Sequence, residues 1–404
     1  MISVEEALER ILADLPVMPA EQVGLTDALG RVLAEDIAAR VTQPPLAVSA
    51  MDGYAVRAAD VVSVPVDLHI VAEVPAGKYV DREIGAGEAA RIFTGAPLPP
   101  GTDAIVIQED TERADDTVTV REGATPGRYV RPAGLDFSKG DVLLEAGHVM
   151  SARDIGLAAA MNVPWLRVRR QPRVAILATG DEIVLPGEET GPTRIVSSNS
   201  FALDGLIRVA GGIPVSLGIA ADNAESLHRL AEAVHGVDFL VTTGGASVGD
   251  HDLVQSVLGE AGLSVDFWQI AMRPGKPLIF GRFRDVPMLG MPGNPVSSMV
   301  CGVLFLQPAL TAMLGIEKTE QPFEYALLGV DVDENDHRQD YLRATLSWDA
   351  EGNRIATPFS RQDSSMFSRM AKADCLIVRP PHTQATNAGE RVAIVSLGGN
   401  LTGI

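Results

Sequence analysis

Three strings in this sequence place glycine beside hydroxyl, amide or acidic side chains directly after a short apolar run. Thr179-Gly180-Asp181-Glu182 follows Ile176-Leu177. Thr242-Thr243-Gly244-Gly245-Ala246-Ser247-Val248-Gly249-Asp250 follows Leu240-Val241. Gly290-Met291-Pro292-Gly293-Asn294-Pro295-Val296-Ser297 follows Met288-Leu289. Glycine lets a backbone approach a ligand closely, and the free N–H groups at a helix start attract phosphate or another oxyanion. Asn294 and Pro295 suit the cap and first-turn positions of such a helix. One string alone is equally an ordinary tight turn, but three in succession point to a phosphate-bearing ligand. None is a P-loop, because no Gly-Lys-Ser/Thr follows the glycines.

A basic element, Arg273-Pro274-Gly275-Lys276-Pro277, precedes the third string. Its prolines restrict the backbone, so both cations are held and can serve an anion. They matter the more because the 404-residue chain has 33 basic and 53 acidic residues, a net charge of −20. That balance argues against nucleic acid or an anionic membrane as a main partner. Asp181, Glu182, Asp222, Asp250 and Asp252 fall in loops of the same kind. Carboxylates repel a neighbouring oxyanion unless Mg²⁺ bridges them or a proton neutralises one, so they suit metal binding or acid–base work. The competing reading, a solvated loop acid or helix cap, is strongest for Asp222. Asp52, in Ser49-Ala50-Met51-Asp52-Gly53-Tyr54, is by residue type only a turn aspartate. The seven histidines are scattered without metal-binding spacing.

These residues need elements to position them. Ser3 and Glu6 form a capping box for a first helix with Val4, Leu8, Ile11 and Leu12 on one face. Thr26 is expected to cap a second helix carrying Leu29, Val32 and Leu33. From about Val41 short alternating runs punctuated by Gly and Pro read as a β-rich unit, and a helical pattern returns at 151–161. The β-unit is therefore read as an insertion. Between 172 and 316, strands at 174–177, 213–217 and 239–241 alternate with helices opening at Ser200 and spanning 224–234, the pattern of a mostly parallel α/β sheet. Beyond 317, strands at 325–330, 341–348, 375–378 and 391–397 suggest a barrel or sandwich. The predicted architecture is multidomain α/β plus β. It comprises a helical elongated unit (1–41 and 132–171), an inserted β-rich unit (42–131), a parallel α/β unit (172–316) and a C-terminal β-barrel (317–404).

Residues 286–316 contain no charged residue or histidine, and 297–316 reaches the length of a membrane span. Gln307-Pro308 interrupts that stretch and no basic flank follows, so two buried helices are expected. The two cysteines, Cys301 and Cys375, give neither a disulfide framework nor metal spacing, and the acidic N-terminus is unlike a signal peptide. A cytoplasmic protein is the expectation.

The ordered set of motifs carries a resemblance that goes further. Ser49-Ala50-Met51-Asp52-Gly53-Tyr54-Ala55-Val56-Arg57 resembles the hallmark of the molybdopterin molybdenumtransferases, the molybdenum insertases that include bacterial MoeA proteins and the E domain of gephyrin. Arg91-Ile92-Phe93-Thr94-Gly95-Ala96-Pro97, the Thr-Gly-Asp-Glu turn, the Gly-Gly-Ala-Ser-Val-Gly-Asp loop, Pro274-Gly275-Lys276-Pro277 and Pro292-Gly293-Asn294-Pro295-Val296-Ser297 recur in that family's order. The resemblance implies a reaction in which adenylylated molybdopterin and molybdate give molybdenum cofactor and AMP, with Mg²⁺ involved. It also implies an α/β unit of molybdopterin-binding type and a homodimer whose site is shared between subunits. Asp52 and Thr94 would reach in from the partner, and Glu182, Asp222, Asp250 and Asp252 would surround the reacting end. Glu182, Asp222 and Asp252 would be the Mg²⁺ ligands. Gly244, Gly245, Ser247, Arg273, Lys276, Pro292, Asn294, Pro295 and Ser297 would hold phosphate or molybdate, joined by Arg343 and Ser364 from the barrel. Contacts with an adenylyltransferase and with apo-molybdoenzymes follow from the same resemblance. The chain departs from several relatives at Gln269 and Arg273, where they carry Lys. The competing functions are an adenylyltransferase and a non-catalytic molybdate carrier or scaffold.

Overall fold

The computed structural model describes residues 1–221, 223, 225–226, 234–244, 259, 262–316 and 323–398. Its central sheet has six strands in the order Ile213–Ala220, Arg173–Thr179, Phe239–Thr243, Val286–Met291, Ile279–Phe283, Leu263–Phe267. The first four are parallel. Their middle members are buried along almost their whole length, as strands covered on both faces must be. The last two pair antiparallel, so the sheet is mostly parallel, as expected, with an antiparallel hairpin at one edge. Only Arg284 and Asp285 separate Ile279–Phe283 from Val286–Met291, a link fit for a hairpin and far too short for a parallel crossover.

Asn199–Val209 packs Leu203 and Ile207 onto this sheet. Behind it lies a single 19-residue helix, Pro295–Met313, in place of the two expected. It is long and apolar enough to cross a membrane (mean hydropathy 1.6), yet most of it is buried in the core. Pro308 does not break it, because the preceding turn is π-helical: the Gln307 N–H bonds back to the Gly302 carbonyl. That wider turn makes room for a residue that has no N–H and whose ring would crowd an α-helical carbonyl.

The discontinuous N-terminal unit is less helical than predicted. Val4–Ala13 forms as expected, with the Glu6 N–H donating to Ser3 Oγ at 3.0 Å, but its buried residues Ala7 and Ile11 join the sheet unit's core. The second helix is absent: Leu25–Asp27 is one 3₁₀ turn. The Leu33 N–H instead bonds the His148 carbonyl, and Val32 bridges Val149. The apolar spacing there serves an extended contact, a tertiary override of local pattern. Ala20–Gly24 pairs with Trp165–Arg169, and Ser151 with Asp154 makes a capping box for Ala152–Ala160.

The inserted unit is an open half-barrel, ordered Ala104–Ile107, Gly53–Val56, Glu88–Ile92, Val66–Val74, Thr117–Val120, Thr111–Ala114. The C-terminal unit closes: Gln339–Trp348, Arg354–Pro358, Glu324–Leu328, Arg391–Ser396 and Cys375–Arg379 return to Gln339–Trp348 as a five-stranded barrel. Sequence reading missed Arg354–Pro358. Met272–Arg273 pairs in parallel with the start of Gln339–Trp348 and so stitches the barrel to the sheet unit.

Candidate functional site

A cleft of about 510 Å³ opens at the carboxyl ends of the parallel strands, where open α/β sheets bind ligands. All three glycine-bearing junctions reach it through Thr179, Gly180 and Glu182, through Thr243 and Gly244, and through Pro292, Asn294, Pro295 and Ser297. Pro277 of the basic loop and Ser365 of the barrel complete the wall. Gly244 has φ +98°, and a Cβ there would lie 2.2 Å from the Thr179 carbonyl oxygen. Only glycine lets the second junction lie this close to the first.

Asn199, which sequence reading missed, fastens the junctions together. Its Nδ2 donates to Thr243 Oγ1 at 2.9 Å and to the Gly293 carbonyl at 2.8 Å. The only signal in the sequence was the polar run Ser197-Ser198-Asn199-Ser200 at a helix start. The helix begins at Asn199 and its cap position is Ser198, not Ser200. Asn294 holds the cap position of Pro295–Met313, but its side chain makes no capping bond and is exposed. Thr179 is 3% exposed and its hydroxyl has no hydrogen-bond partner among the described residues. A buried hydroxyl in a cleft wall without a partner is costly unless a ligand or water completes it.

The basic loop presents its two cations in different states. Arg273 donates from Nε to Asp340 Oδ1 at 2.9 Å and from Nη2 to Asp340 Oδ2. Its Nη1 lies 3.8 Å from Asp336 Oδ2. The Lys276 side chain is exposed and has no polar partner among the described residues. Beneath the loop, Cys301 Sγ lies 3.8 Å from the Gly275 carbonyl, and complete burial pushes its thiol far above the usual range. It is therefore packing, not a nucleophile.

In the inserted unit, two strings about forty residues apart meet because Gly53 pairs with Ile92. Asp52 Oδ1 accepts from the Thr94 backbone N–H at 2.7 Å and from Thr94 Oγ1 at 2.8 Å. Those two bonds, with Arg91 nearby, hold the Asp52 carboxyl below its ordinary range. Arg91 lies over the rings of Tyr54 and Phe93 and donates to the Gly53 carbonyl at 3.2 Å. Neither Asp52 nor Thr94 lines the cleft of its own chain.

Arg343 is 1% exposed. Its Nε donates to Gln362 Oε1 and its Nη1 to the Met366 carbonyl, each at 3.2 Å, while Nη2 is buried without a partner among the described residues. Burial lowers its pKa. It pins the segment whose Ser364 carbonyl accepts the Val296 N–H at 3.1 Å. Asp222, Gly245, Ser247, Asp250 and Asp252 lie outside the described residues. Among the described residues no group of three or more His, Cys, Asp or Glu could hold a metal. Glu182 is the described member of the Mg²⁺ set, exposed in the wall of the cleft. One such carboxylate suits Mg²⁺, which binds through one or two carboxylates plus substrate phosphates.

Comparison with known proteins agrees along the chain. Residues 2–162 match the MoeA N-terminal region (domain I and II), 175–312 a probable molybdopterin binding domain, and 325–397 the MoeA C-terminal region (domain IV). The chain is 34% identical to the molybdopterin molybdenumtransferase of Nostoc sp., covering 98% of this chain and 94% of that protein. It is 33% identical to that of Haemophilus influenzae, covering 98% of each. A molybdopterin biosynthesis MoeA protein of Pyrococcus horikoshii superposes with a TM-score of 0.87 at 34% identity, over 99% of this chain and 100% of that one.

Proposed function

The chain belongs to the molybdopterin molybdenumtransferase family, and from that premise we propose the reaction and the residues that carry it. It is a transferase of molybdenum cofactor biosynthesis. Adenylylated molybdopterin and molybdate enter as substrates, and molybdenum cofactor and AMP leave. The observation carrying this reading is the cleft where three glycine-bearing junctions converge with Pro277 of the basic loop.

Gly244 and the turn holding Pro292, Asn294, Pro295 and Ser297 bring backbone close to the phosphates, and the family resemblance adds Gly245 and Ser247 to the phosphate-binding set. Thr179 Oγ1, without a partner among the described residues, offers a hydrogen bond to the ligand. Lys276 and Arg273 neutralise molybdate, where preorganised charge needs no rearrangement during reaction. Mg²⁺, when bound, polarises the phosphoanhydride. Glu182, Asp222 and Asp252 would hold it. Asp250 belongs to the same acidic set. Arg343 and Ser364 serve from the barrel, Arg343 by pinning the segment that carries Ser364. In a homodimer, Asp52 and Thr94 of the other subunit complete the site, and the hydrogen bonds from Thr94 keep Asp52 ionised to lower pH than an ordinary aspartate. We place this chemistry in the cytoplasm, between a supplying adenylyltransferase and recipient apo-molybdoenzymes.

The test is AMP release from adenylylated molybdopterin and Mg²⁺, with and without molybdate. Molybdate-dependent release is expected, and Asp52→Ala should abolish it while the protein remains folded. A folded Asp52→Ala variant of normal activity contradicts the assignment of Asp52. Tight substrate binding without release under any oxyanion contradicts the reaction and favours a carrier.

A further inference from the structure

Arg273 and Asp340 meet across the seam between the sheet unit and the barrel. Met272–Arg273 runs parallel to the start of Gln339–Trp348, with Arg273 opposite Asp340. The Asp340 side chain is 3% exposed, whereas that of Arg273 is 48% exposed. Asp340 occupies the Nε and Nη2 edge of the guanidinium. Nη1 faces Asp336 at 3.8 Å, beyond hydrogen-bond reach. A planar guanidinium gripped along one edge keeps its remaining donors in a fixed direction. Three residues on, Lys276 has no acidic partner among the described residues.

We propose that Asp340 sets the charge of the oxyanion-binding loop: it seats Arg273 and offsets its charge, loosening the loop's grip on a tetrahedral dianion. The inference rests on the reading above that residues 273–277 receive molybdate. A dianion reaching Nη1 is attracted by Arg273 and Lys276 and repelled by the carboxylate at the guanidinium's other edge. Burial removes Asp340 from salt screening, so its repulsion persists where that of an exposed acid fades. Asp336 faces the same guanidinium from 3.8 Å with its side chain 39% exposed, and should act in the same direction more weakly. An oxyanion that has to pass to the substrate's sulfurs is better served by a site that does not bind its ground state too tightly. Arg273 in this chain is thus a cation of tempered strength, and Lys276 the untempered one.

The experiment measures molybdate binding by calorimetry on the full chain, alongside molybdate half-saturation of AMP release. The variants are Asp340→Asn, Arg273→Gln and Glu35→Gln. Glu35 is an exposed acid paired with Arg167 in the N-terminal unit, so its variant makes the same change in net charge away from the loop. Asp340→Asn keeps an acceptor for Arg273 but removes the charge, and should tighten molybdate binding several-fold and lower half-saturation in step. Arg273→Gln should weaken both, and Glu35→Gln should change neither. A purely structural role for Asp340 predicts the opposite sign, because a poorly seated Arg273 binds less well. Unchanged or weaker binding by a folded Asp340→Asn variant overturns the proposal. Should that variant not fold, Asp336→Asn decides: a smaller tightening supports the proposal, and none overturns it. Wild-type protein that neither binds molybdate nor releases AMP in response to it would sink the functional reading and this inference together. Normal wild-type behaviour with no tightening in the variants sinks this inference alone. Sulfate and inorganic phosphate, run as competing oxyanions, should gain affinity in Asp340→Asn as molybdate does, and an unchanged affinity for both also counts against a charge effect.

Discussion

Phe239, Met291 and Phe305 of the sheet unit lie in one apolar cluster with Tyr341, Leu376 and Val395 of the barrel. The inserted unit packs otherwise: Tyr54, Leu68 and Val118 belong to one cluster, Ile84, Ile92 and Ile105 to a second, and neither draws on the sheet unit or the barrel. The two halves of the proposed site are therefore held in different ways. The cleft, with Pro277 and Ser365 in its wall, rests on a core common to two units. The Asp52–Thr94 corner rests on a core of its own, so either half should be open to damage without the other.

The largest effects come from glycines at close backbone approaches. Gly53→Ala would put a Cβ 2.0 Å from the Val106 carbonyl oxygen, and Gly244→Ala would put one 2.2 Å from that of Thr179. Each should cost on the order of 3 kcal/mol in denaturant unfolding, because backbone must shift to admit the methyl. Gly53→Ala should abolish AMP release yet spare molybdate binding at the cleft, whereas Gly244→Ala should impair substrate binding yet leave the inserted unit's hydrogen-exchange protection intact. Loss of both functions in both variants would erase the comparison.

A smaller effect sharpens it. Thr94→Val removes one of two hydrogen bonds to Asp52 and should reduce AMP release on the order of tenfold at unchanged substrate affinity. The sign of its pH effect follows from the lowered Asp52 pKa. The ionised carboxylate persists to lower pH than an ordinary one, and activity falls as pH drops through the folded value. Weakening Thr94's support raises that value, so the acidic limb of the pH–rate profile should move to higher pH.

The smallest effect lies outside both halves. Burial alone would raise the pKa of Asp154, but hydrogen bonds from Ser151 and His148 outweigh it and bring it to about 2. Its stabilising contribution is complete above the unfolded value of about 3.9 and disappears as pH falls towards 2. Asp154→Ala should cost about 1 kcal/mol at neutral pH, the usual weight of a helix cap, with AMP release unaltered.

Elements whose signals are local were legible in the sequence. The first helix showed its Ser3 cap, four barrel strands their strand-like runs, and the three cleft junctions their glycines after apolar runs. What stayed hidden depends on partners far along the chain or on competing geometry. Leu29, Val32 and Leu33 have helical spacing, but the 147–150 segment claims that stretch as an extended partner. Pro308 reads as a break until a π-turn accommodates it. Arg273 reads as a free cation because nothing near it in sequence announces Asp340, 67 residues away. Asp52 and Thr94 were tied together by family resemblance alone, since a turn aspartate and a loop threonine carry no local mark of chemistry.

Complementation decides whether one site is built from two subunits. Asp52→Ala and Lys276→Ala chains are each expected to be inactive in AMP release. Mixed one to one under conditions of subunit exchange, they should form heterodimers in which one of the two sites is intact, recovering about a quarter of wild-type activity. Heterodimers that form yet stay inactive would contradict the account, placing Asp52 and Lys276 in a single chain's site or in no common site.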